Sequence, residues 1–238
     1  MQGYAKIAPY YDRFINRDFY KILISYLADK VIPGSDKRLL ELGCGTGFFS
    51  LYYAKQGMDC VGIDRSAEMI KIARNYAKES ALENICFSQG DMLKIPFKGK
   101  FDYVIIFFDV LNNILNPKDI TVLFKKVHEC LRPGGVFIFD ILSLWGMKKM
   151  WNNDNFYEFY DDFKIHWISE YRDDERLLKI KMRIISKRET IVEEFVERGY
   201  EKNSLEEKLV SAGFNVRGIC PMFFFKRKAS RFVFYLEK

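Results

Sequence analysis

The sequence has few of the features that metal-binding, secreted or membrane-spanning chains require. Its five cysteines are scattered along 238 residues without a C-x-x-C pair, so neither a zinc site nor a disulfide framework is indicated. No apolar run approaches the ~18–20 residues of a membrane span, and the N-terminal residues lack the apolar segment of a secretion signal. We therefore expect a reduced, cytoplasmic protein without a metal site or a membrane segment.

Histidine is scarce as well, which limits the candidates for proton transfer. The two histidines are His128, in a predicted helix, and His166, in a segment of predicted strands. His128 fits a surface or packing position. His166 could act as a base because imidazole titrates near neutrality, but the pattern favours a partly buried structural histidine.

What the chain does contain is apolar and aromatic, at 49% and 16% of its residues. This composition excludes disorder, and the length suits one α/β domain with an insertion. The net charge of +6 is unevenly distributed, since residues 154–175 carry eight acids and two bases and residues 176–188 carry six bases. Such blocks on successive strands indicate cross-strand pairing. A late basic cluster leaves RNA binding open, at Lys226, Arg227, Lys228 and Arg231.

Two kinds of periodicity divide the chain. Over most of its length, short apolar strands alternate with amphipathic helices, which predicts a parallel sheet covered on both faces. Residues 156–199 alternate with the period of strands and predict an antiparallel insertion of about three strands, with a turn at Asp173-Asp174. The sheet strands are predicted at 38–42, 60–63, 85–88, 102–108, 136–141, 214–220 and 231–236, and the helices at 18–31, 47–56, 67–80, 118–131 and 204–212.

The segment Leu39–Gly47, LLELGCGTG, joins a short apolar strand to a helical pattern through alternating glycines. Glycine lets the backbone turn sharply and lets a ligand approach closely. A strand, a glycine turn and a helix form the nucleotide-binding corner of doubly wound folds. The dinucleotide fingerprint requires glycine where Phe48 stands, so a ligand without a pyrophosphate is favoured.

LLELGCGTG resembles motif I of the class I S-adenosylmethionine-dependent methyltransferases, and the resemblance covers most of residues 37–141. It implies an α/β fold with a doubly wound, mostly parallel, seven-stranded Rossmann-like sheet and a small antiparallel β insertion. We expect residues 1–145 and 200–238 to form the methyltransferase core and residues 146–199 to form a lid over the substrate. The chain is most similar to a bacterial group of uncharacterised, small-molecule-type enzymes with such a β insertion.

The resemblance also implies which residues hold S-adenosylmethionine and its product S-adenosylhomocysteine. Asp64 would bind both ribose hydroxyls, and Asp91 would bind the adenine amine. Met69 would pack on the adenine, or belong to the core as methionines at helical spacing usually do. Tyr11 would close over the cofactor, with Tyr4 as the second candidate. The full predicted set is Tyr11, Glu41, Gly43, Cys44, Gly45, Asp64, Arg65, Met69, Asp91, Met92 and Phe107.

The methyl acceptor stays open. Because the sulfonium is already activated, alignment of a nucleophile supplies much of the rate, and no particular catalytic residue is required. The candidates for such a residue are His166 and Tyr11. We predict transfer to nitrogen or oxygen of a small molecule by a monomer or homodimer. The alternatives are an RNA-modifying methyltransferase that uses the basic cluster, and a cofactor-binding module without catalysis.

Overall fold

The computed structural model describes residues 4–15, 17–151, 153–222 and 229–238, which form eleven strands and seven α-helices. The strands are β1 (Arg38–Leu42), β2 (Asp59–Asp64), β3 (Ile85–Gln89), β4 (Phe101–Ile106), β5 (Leu131–Leu142), β6 (Asn155–Phe159), β7 (Phe163–Arg172), β8 (Leu177–Ser186), β9 (Thr190–Arg198), β10 (Asn215–Met222) and β11 (Arg231–Glu237). The helices are α1 (Ala8–Phe14), α2 (Arg17–Leu27), α3 (Phe48–Ala54), α4 (Ala67–Glu79), α5 (Pro117–Cys130), α6 (Leu144–Met150) and α7 (Lys202–Ser211).

Seven strands form one large sheet, in the order β10-β11-β5-β4-β1-β2-β3. The strands from β5 to β3 in this order pair in parallel, whereas β11 pairs antiparallel with both β5 and β10. Parallel strands need long crossover connections, and helices supply them here. The predicted fold class, a doubly wound and mostly parallel seven-stranded sheet, is confirmed.

Helices cover the two faces of this sheet with separate apolar layers. Leu39 of β1 packs in the layer that contains Phe49 of α3. The next residue, Leu40, packs in the opposite layer with Phe124 of α5 and Leu205 of α7. Successive side chains of a strand point to opposite faces, so an apolar run such as β1 is buried on both.

The second sheet has four antiparallel strands, in the order β6-β7-β8-β9, one more than the sequence predicts. The additional strand is β6, whose residues are mostly exposed and therefore lack the alternation that predicts strands. Lys181 of β8 lies opposite Glu194 of β9, and the two form an ion pair of 2.8 Å. This pair joins the basic block of residues 176–188 to an acid on the next strand, which is cross-strand pairing of the kind that the charge pattern predicts.

Helix α1, which the sequence pattern does not predict, links the small sheet to the glycine turn. Tyr10 packs edge-to-face on Phe163 of β7, with ring centroids 5.1 Å apart. Asp12 accepts hydrogen bonds from the hydroxyls of Thr46, at 2.7 Å, and Tyr76, at 2.9 Å. In the part of the chain that the structure describes, no helix is both long and apolar enough to span a membrane.

Candidate active site

The turn between β1 and α3 adopts a conformation that favours glycine at three positions. Gly43, Gly45 and Gly47 have φ values of 70°, 53° and 87°, in the left-handed region. At Gly43 a Cβ would also lie 2.6 Å from a methyl carbon of Val110. At Gly45 a Cβ would meet no atom within 4 Å, so the backbone there borders open space. The turn is therefore packed on one side and accessible on the other.

Asp64, at the end of β2, ties this turn to the neighbouring strand. Its Oδ2 accepts a hydrogen bond from the Gly45 amide at 2.9 Å, and its Oδ1 accepts one from the Ser66 amide at 2.8 Å. Burial raises the pKa of Asp64, and the hydrogen bonds from these amides lower it by a smaller amount. A carboxylate has about four acceptor positions, so Asp64 keeps room for a ligand beside the amides of Gly45, Ser66 and Arg65.

Glu41 lies beneath the turn on β1 and is only 4% exposed. Its Oε2 accepts hydrogen bonds from the Ser50 amide, at 2.8 Å, and from the Ser50 hydroxyl, at 2.5 Å. Burial raises the pKa of Glu41 to about 7, although the bonds from Ser50 oppose the shift. Glu41 therefore changes charge near neutral pH.

A cavity of about 540 Å³, counted out to the solvent at its mouth, opens at this corner of the sheet. Eight residues of the predicted set line it: Tyr11, Glu41, Gly43, Cys44, Gly45, Asp64, Met69 and Phe107. Tyr4, the second candidate for the cover, also lines the cavity. The predicted set omits six further lining residues: Tyr20, Phe48, Phe49, Phe108, Val110 and Asn113.

The remaining predicted residues lie outside this lining. Asp91 accepts a hydrogen bond from the Leu93 amide at 3.0 Å and forms an ion pair with Arg65 at 3.2 Å. Met92 packs against the apolar layer around β1 and α5. Arg65 and Asp91 are both near Asp64. Arg65 follows it in the chain, and Asp91 is near it because β2 and β3 are adjacent and parallel.

His166 lies on β7 of the small sheet and is not among the residues that line the cavity. Its Nε2 is 2.6 Å from Asn155 Oδ1, and its ring stacks on Tyr157 at 4.2 Å. Neither of these partners lines the cavity. These are the contacts of a structural histidine, which the sequence pattern favours over a catalytic base.

Aromatic side chains from the N-terminal segment and α2 close one side of the cavity. The Tyr20 ring lies on Phe48 with centroids 3.8 Å apart, and Tyr4 meets Tyr11 edge-to-face at 6.3 Å. Phe48 is the residue that breaks the dinucleotide fingerprint, and here its ring belongs to the cavity wall. The burial of Tyr4 and Tyr11 raises the pKa of both phenols, so these walls are uncharged.

An ion-pair network that the sequence did not reveal lies next to this wall. Arg231 of β11 contacts Asp140 of β5 at 2.5 Å and Asp109, in the loop after β4, at 2.6 Å. Phe108 and Asp109 both have positive φ, 63° and 61°, a strain that persists only where surrounding contacts hold it. Because Arg231 is 7% exposed, it is not part of the predicted surface cluster, a correction to that prediction. Residues 226–228 of that cluster lie outside the described residues.

Comparison with known proteins identifies the family. The sequence profile of a family described as a methyltransferase domain matches residues 33–213. This chain belongs to the methyltransferase domain family. YqeM of Bacillus subtilis is 33% identical over 175 residues, which cover 73% of this chain and 68% of that protein.

Solved structures share the fold of this methyltransferase. An S-adenosylmethionine-dependent methyltransferase from Clostridium acetobutylicum superposes with a TM-score of 0.83 and 22% identity, covering 98% of both chains. CalS10, an amino pentose methyltransferase from Micromonospora echinaspora solved with S-adenosylmethionine bound, superposes with a TM-score of 0.72 and 16% identity, covering 97% of this chain and 94% of that one. The S-adenosylmethionine donor that the sequence predicts agrees with this family and with the ligand of CalS10.

Proposed function

We propose that the cavity beside the glycine turn is the S-adenosylmethionine site, and that methyl transfer goes to nitrogen or oxygen of a small-molecule acceptor. One observation carries the proposal: Asp64 and the open side of the glycine turn are bonded to each other and line the same cavity. The carboxylate keeps acceptor positions for ribose hydroxyls, and the turn leaves room for the nucleoside.

Each residue of the predicted set has a role that its position supports. Asp64 would accept from the ribose hydroxyls, while Met69 would pack against the adenine. Asp91, with the backbone of Met92, lies at the end of the neighbouring strand, where it would bind the adenine edge. Glu41 and the end of β4 would border the methionine part of the donor, and Gly43, Cys44, Gly45, Arg65, Phe107 and Tyr11 would complete the binding surface.

The donor supplies an activated methyl group, so the enzyme's own contribution is to orient the acceptor and exclude water. The aromatic wall suits that task because it is apolar and uncharged near neutral pH. The small sheet, within residues 146–199, reaches this wall through Phe195, whose ring lies 4.7 Å from that of Tyr4. We propose that residues 146–199 act as a lid over the acceptor.

A small-molecule acceptor is favoured over RNA for two reasons. The cavity is enclosed by aromatic rings and buried acids, which do not attract a phosphate backbone. The one described member of the late basic cluster, Arg231, is buried in ion pairs. CalS10, whose acceptor is an amino pentose, is an example of a small-molecule acceptor in this fold.

Radiolabelled S-adenosylmethionine tests the acceptor class. The protein is incubated with the small-molecule fraction and, separately, with the total RNA of a bacterial extract. We expect the label to appear in the small-molecule fraction and to require the enzyme. Label in RNA would contradict the proposal in favour of an RNA-modifying enzyme. Binding of the donor without label in either fraction would favour a non-catalytic module.

A further inference from the structure

Two buried acidic side chains and one half-buried one lie beside the cavity, and one arginine accompanies them. Asp109, Asp140 and Glu197 form this carboxylate cluster, from the loop after β4, from β5 and from β9. Asp140 is 1% exposed and Glu197 is 6% exposed. The three acids and Arg231 interact electrostatically with one another. With all three acids ionised, one guanidinium leaves the cluster with an excess of negative charge.

The arginine is occupied by two of the three acids. Its Nη atoms contact Asp140 at 2.5 Å and Asp109 at 2.6 and 3.0 Å. Glu197, in contrast, forms no hydrogen bond or ion pair with any residue that the structure describes. A buried carboxylate without a partner is unstable in its charged form unless a proton or a cationic ligand joins it. Of the three acids, Glu197 is therefore the one that Arg231 does not pair with.

None of the three acids is among the residues that line the cavity, but two of them adjoin lining residues. Asp109 directly follows Phe108, a lining residue. Glu197 shares the buried face of β9 with Phe195, whose ring packs on the cavity residue Tyr4 at 4.7 Å. Both Glu197 and Asp109 oppose the ionisation of Tyr4, so the Tyr4 hydroxyl lies within the electrostatic reach of both.

The kind of cation that this arrangement suits follows from its surroundings. Among the described residues, no group of three or more His, Cys, Asp or Glu side chains is placed to hold a metal ion. The cavity next to the cluster is instead lined by aromatic rings, including Tyr4, Tyr11 and Phe108. Aromatic faces and carboxylates together favour an organic ammonium ion.

We propose that the acceptor is an amine, which binds as an ammonium ion against Asp109 and Glu197 and gives a proton to Glu197 before methylation. This inference rests on the proposed function, because it defines the acceptor class of the same cavity. Arg231 pairs with Asp109 and Asp140, so Glu197 is the carboxylate that remains to take the proton. Burial, with repulsion from Asp109, raises the pKa of Glu197 well above its usual range, so a proton on this carboxyl is stabilised.

The step balances without a further reactant. Proton transfer from the ammonium nitrogen to the Glu197 carboxylate leaves a neutral amine with a free lone pair. The new nitrogen–carbon bond forms as the carbon–sulfur bond of the sulfonium breaks, sulfur keeps the electron pair, and the N-methylated ammonium carries the positive charge. An alcohol acceptor is neutral and would leave the negative charge of the cluster without compensation.

Binding of matched amine and alcohol probes tests this inference without turnover. Benzylamine and benzyl alcohol, and cyclohexylamine and cyclohexanol, are titrated into the protein loaded with S-adenosylhomocysteine and followed by ligand-observed NMR. Both amines are charged at neutral pH. We expect each amine to bind at least about tenfold more tightly than its alcohol, because only the amine forms a charge-assisted hydrogen bond with the cluster.

Two variants and one control assign the effect to the cluster. Glu197→Gln and Asp109→Asn should each weaken amine binding by about tenfold and change the S-adenosylhomocysteine affinity by less than about twofold, which also shows that they fold. Glu194→Gln is the control, because Glu194 lies on the exposed face of the same strand and pairs with Lys181. Its amine affinity should equal that of the wild type.

The outcomes distinguish the two proposals. Equal binding of amines and alcohols, no binding of either, or amine binding that both cluster variants retain would overturn the amine acceptor. In each of these cases the wild type still binds S-adenosylhomocysteine. If the wild type does not bind S-adenosylhomocysteine, the proposed function itself is wrong.

Discussion

At the scale of single residues, the site depends on which side of the glycine turn has room. Gly43 and Gly45 both have positive φ, and they differ in what an added methyl group would meet. At Gly43 the nearest atoms are the Val110 methyl groups at 2.6 Å, whereas the space at Gly45 is open. The first glycine is therefore required for packing, and we infer that the second is required for the ligand.

Alanine substitutions separate these two requirements. Gly43→Ala should lower the free energy of unfolding by about 1–3 kcal/mol more than Gly45→Ala, because both introduce backbone strain but only the first introduces a clash. Gly45→Ala should weaken S-adenosylhomocysteine binding while the protein stays folded. Urea unfolding and calorimetric titration measure the two effects. Equal loss of stability in both variants would contradict the packing argument.

The buried Glu41 predicts a dependence of stability on pH. Its pKa rises from an ordinary 4.5 to about 7 on folding, so its effect on stability is lost as the pH rises through that interval. Relative to Glu41→Gln, the ligand-free wild type should lose up to ~3 kcal/mol of unfolding free energy between pH 4.5 and pH 8. Urea unfolding at several pH values tests this. Parallel pH profiles for the two proteins would show that Glu41 ionises as freely in the folded state.

At the scale of elements, α1 connects the glycine turn with the small sheet. Asp12 bonds to Thr46 in the turn and to Tyr76 on α4, while Tyr10 packs on Phe163 of β7. Tyr11, between them, lines the cavity. We infer that the position of α1 determines how tightly the aromatic wall covers a bound nucleoside.

Removal of the Asp12 side chain tests this connection. Asp12→Ala should speed the dissociation of S-adenosylhomocysteine about threefold to tenfold, since two hydrogen bonds that hold α1 to the turn and to α4 are lost. It should also raise amide hydrogen exchange in residues 8–14. Asp18→Ala is the control, because Asp18 lies on an exposed surface of the next helix and bonds to Lys21. An unchanged dissociation rate would mean that α1 does not cover the ligand.

The elements also differ in how well the sequence predicts them. Most strands of the large sheet are predicted closely because they are apolar runs between helices, as in the segment before Gly43. The prediction is wrong for the start of β5, which begins at Leu131 and not at residue 136, because its first residues are not an apolar run. Helix α1 is missed because it is short and only Ala8 of its seven residues is buried, so it has no buried apolar stripe. Strand β6 is missed because it is an exposed edge. The pairing of Arg231 with Asp109 and Asp140 joins residues far apart in the chain, so no local pattern predicts it.

At the scale of the whole molecule, the seven-stranded sheet brings the ends of β1, β2 and β4 together around one cavity. Glu41, Asp64 and Phe107 come from these three strands or the residue after them, and all three line it. The ends of parallel strands meet at one edge of a sheet, which is why ligands bind there in doubly wound folds. Sequence motifs therefore predict most of this side of the cavity, while the aromatic cover depends on tertiary packing.

The central claim is that this cavity holds S-adenosylmethionine through Asp64. Calorimetric titration of the wild type and of Asp64→Asn with S-adenosylhomocysteine, with NAD as the comparison ligand, tests it most directly. We predict micromolar binding of S-adenosylhomocysteine, no binding of NAD, and an affinity at least about tenfold lower in Asp64→Asn. Equal affinity of wild type and variant, or binding of NAD in place of S-adenosylhomocysteine, would contradict the account.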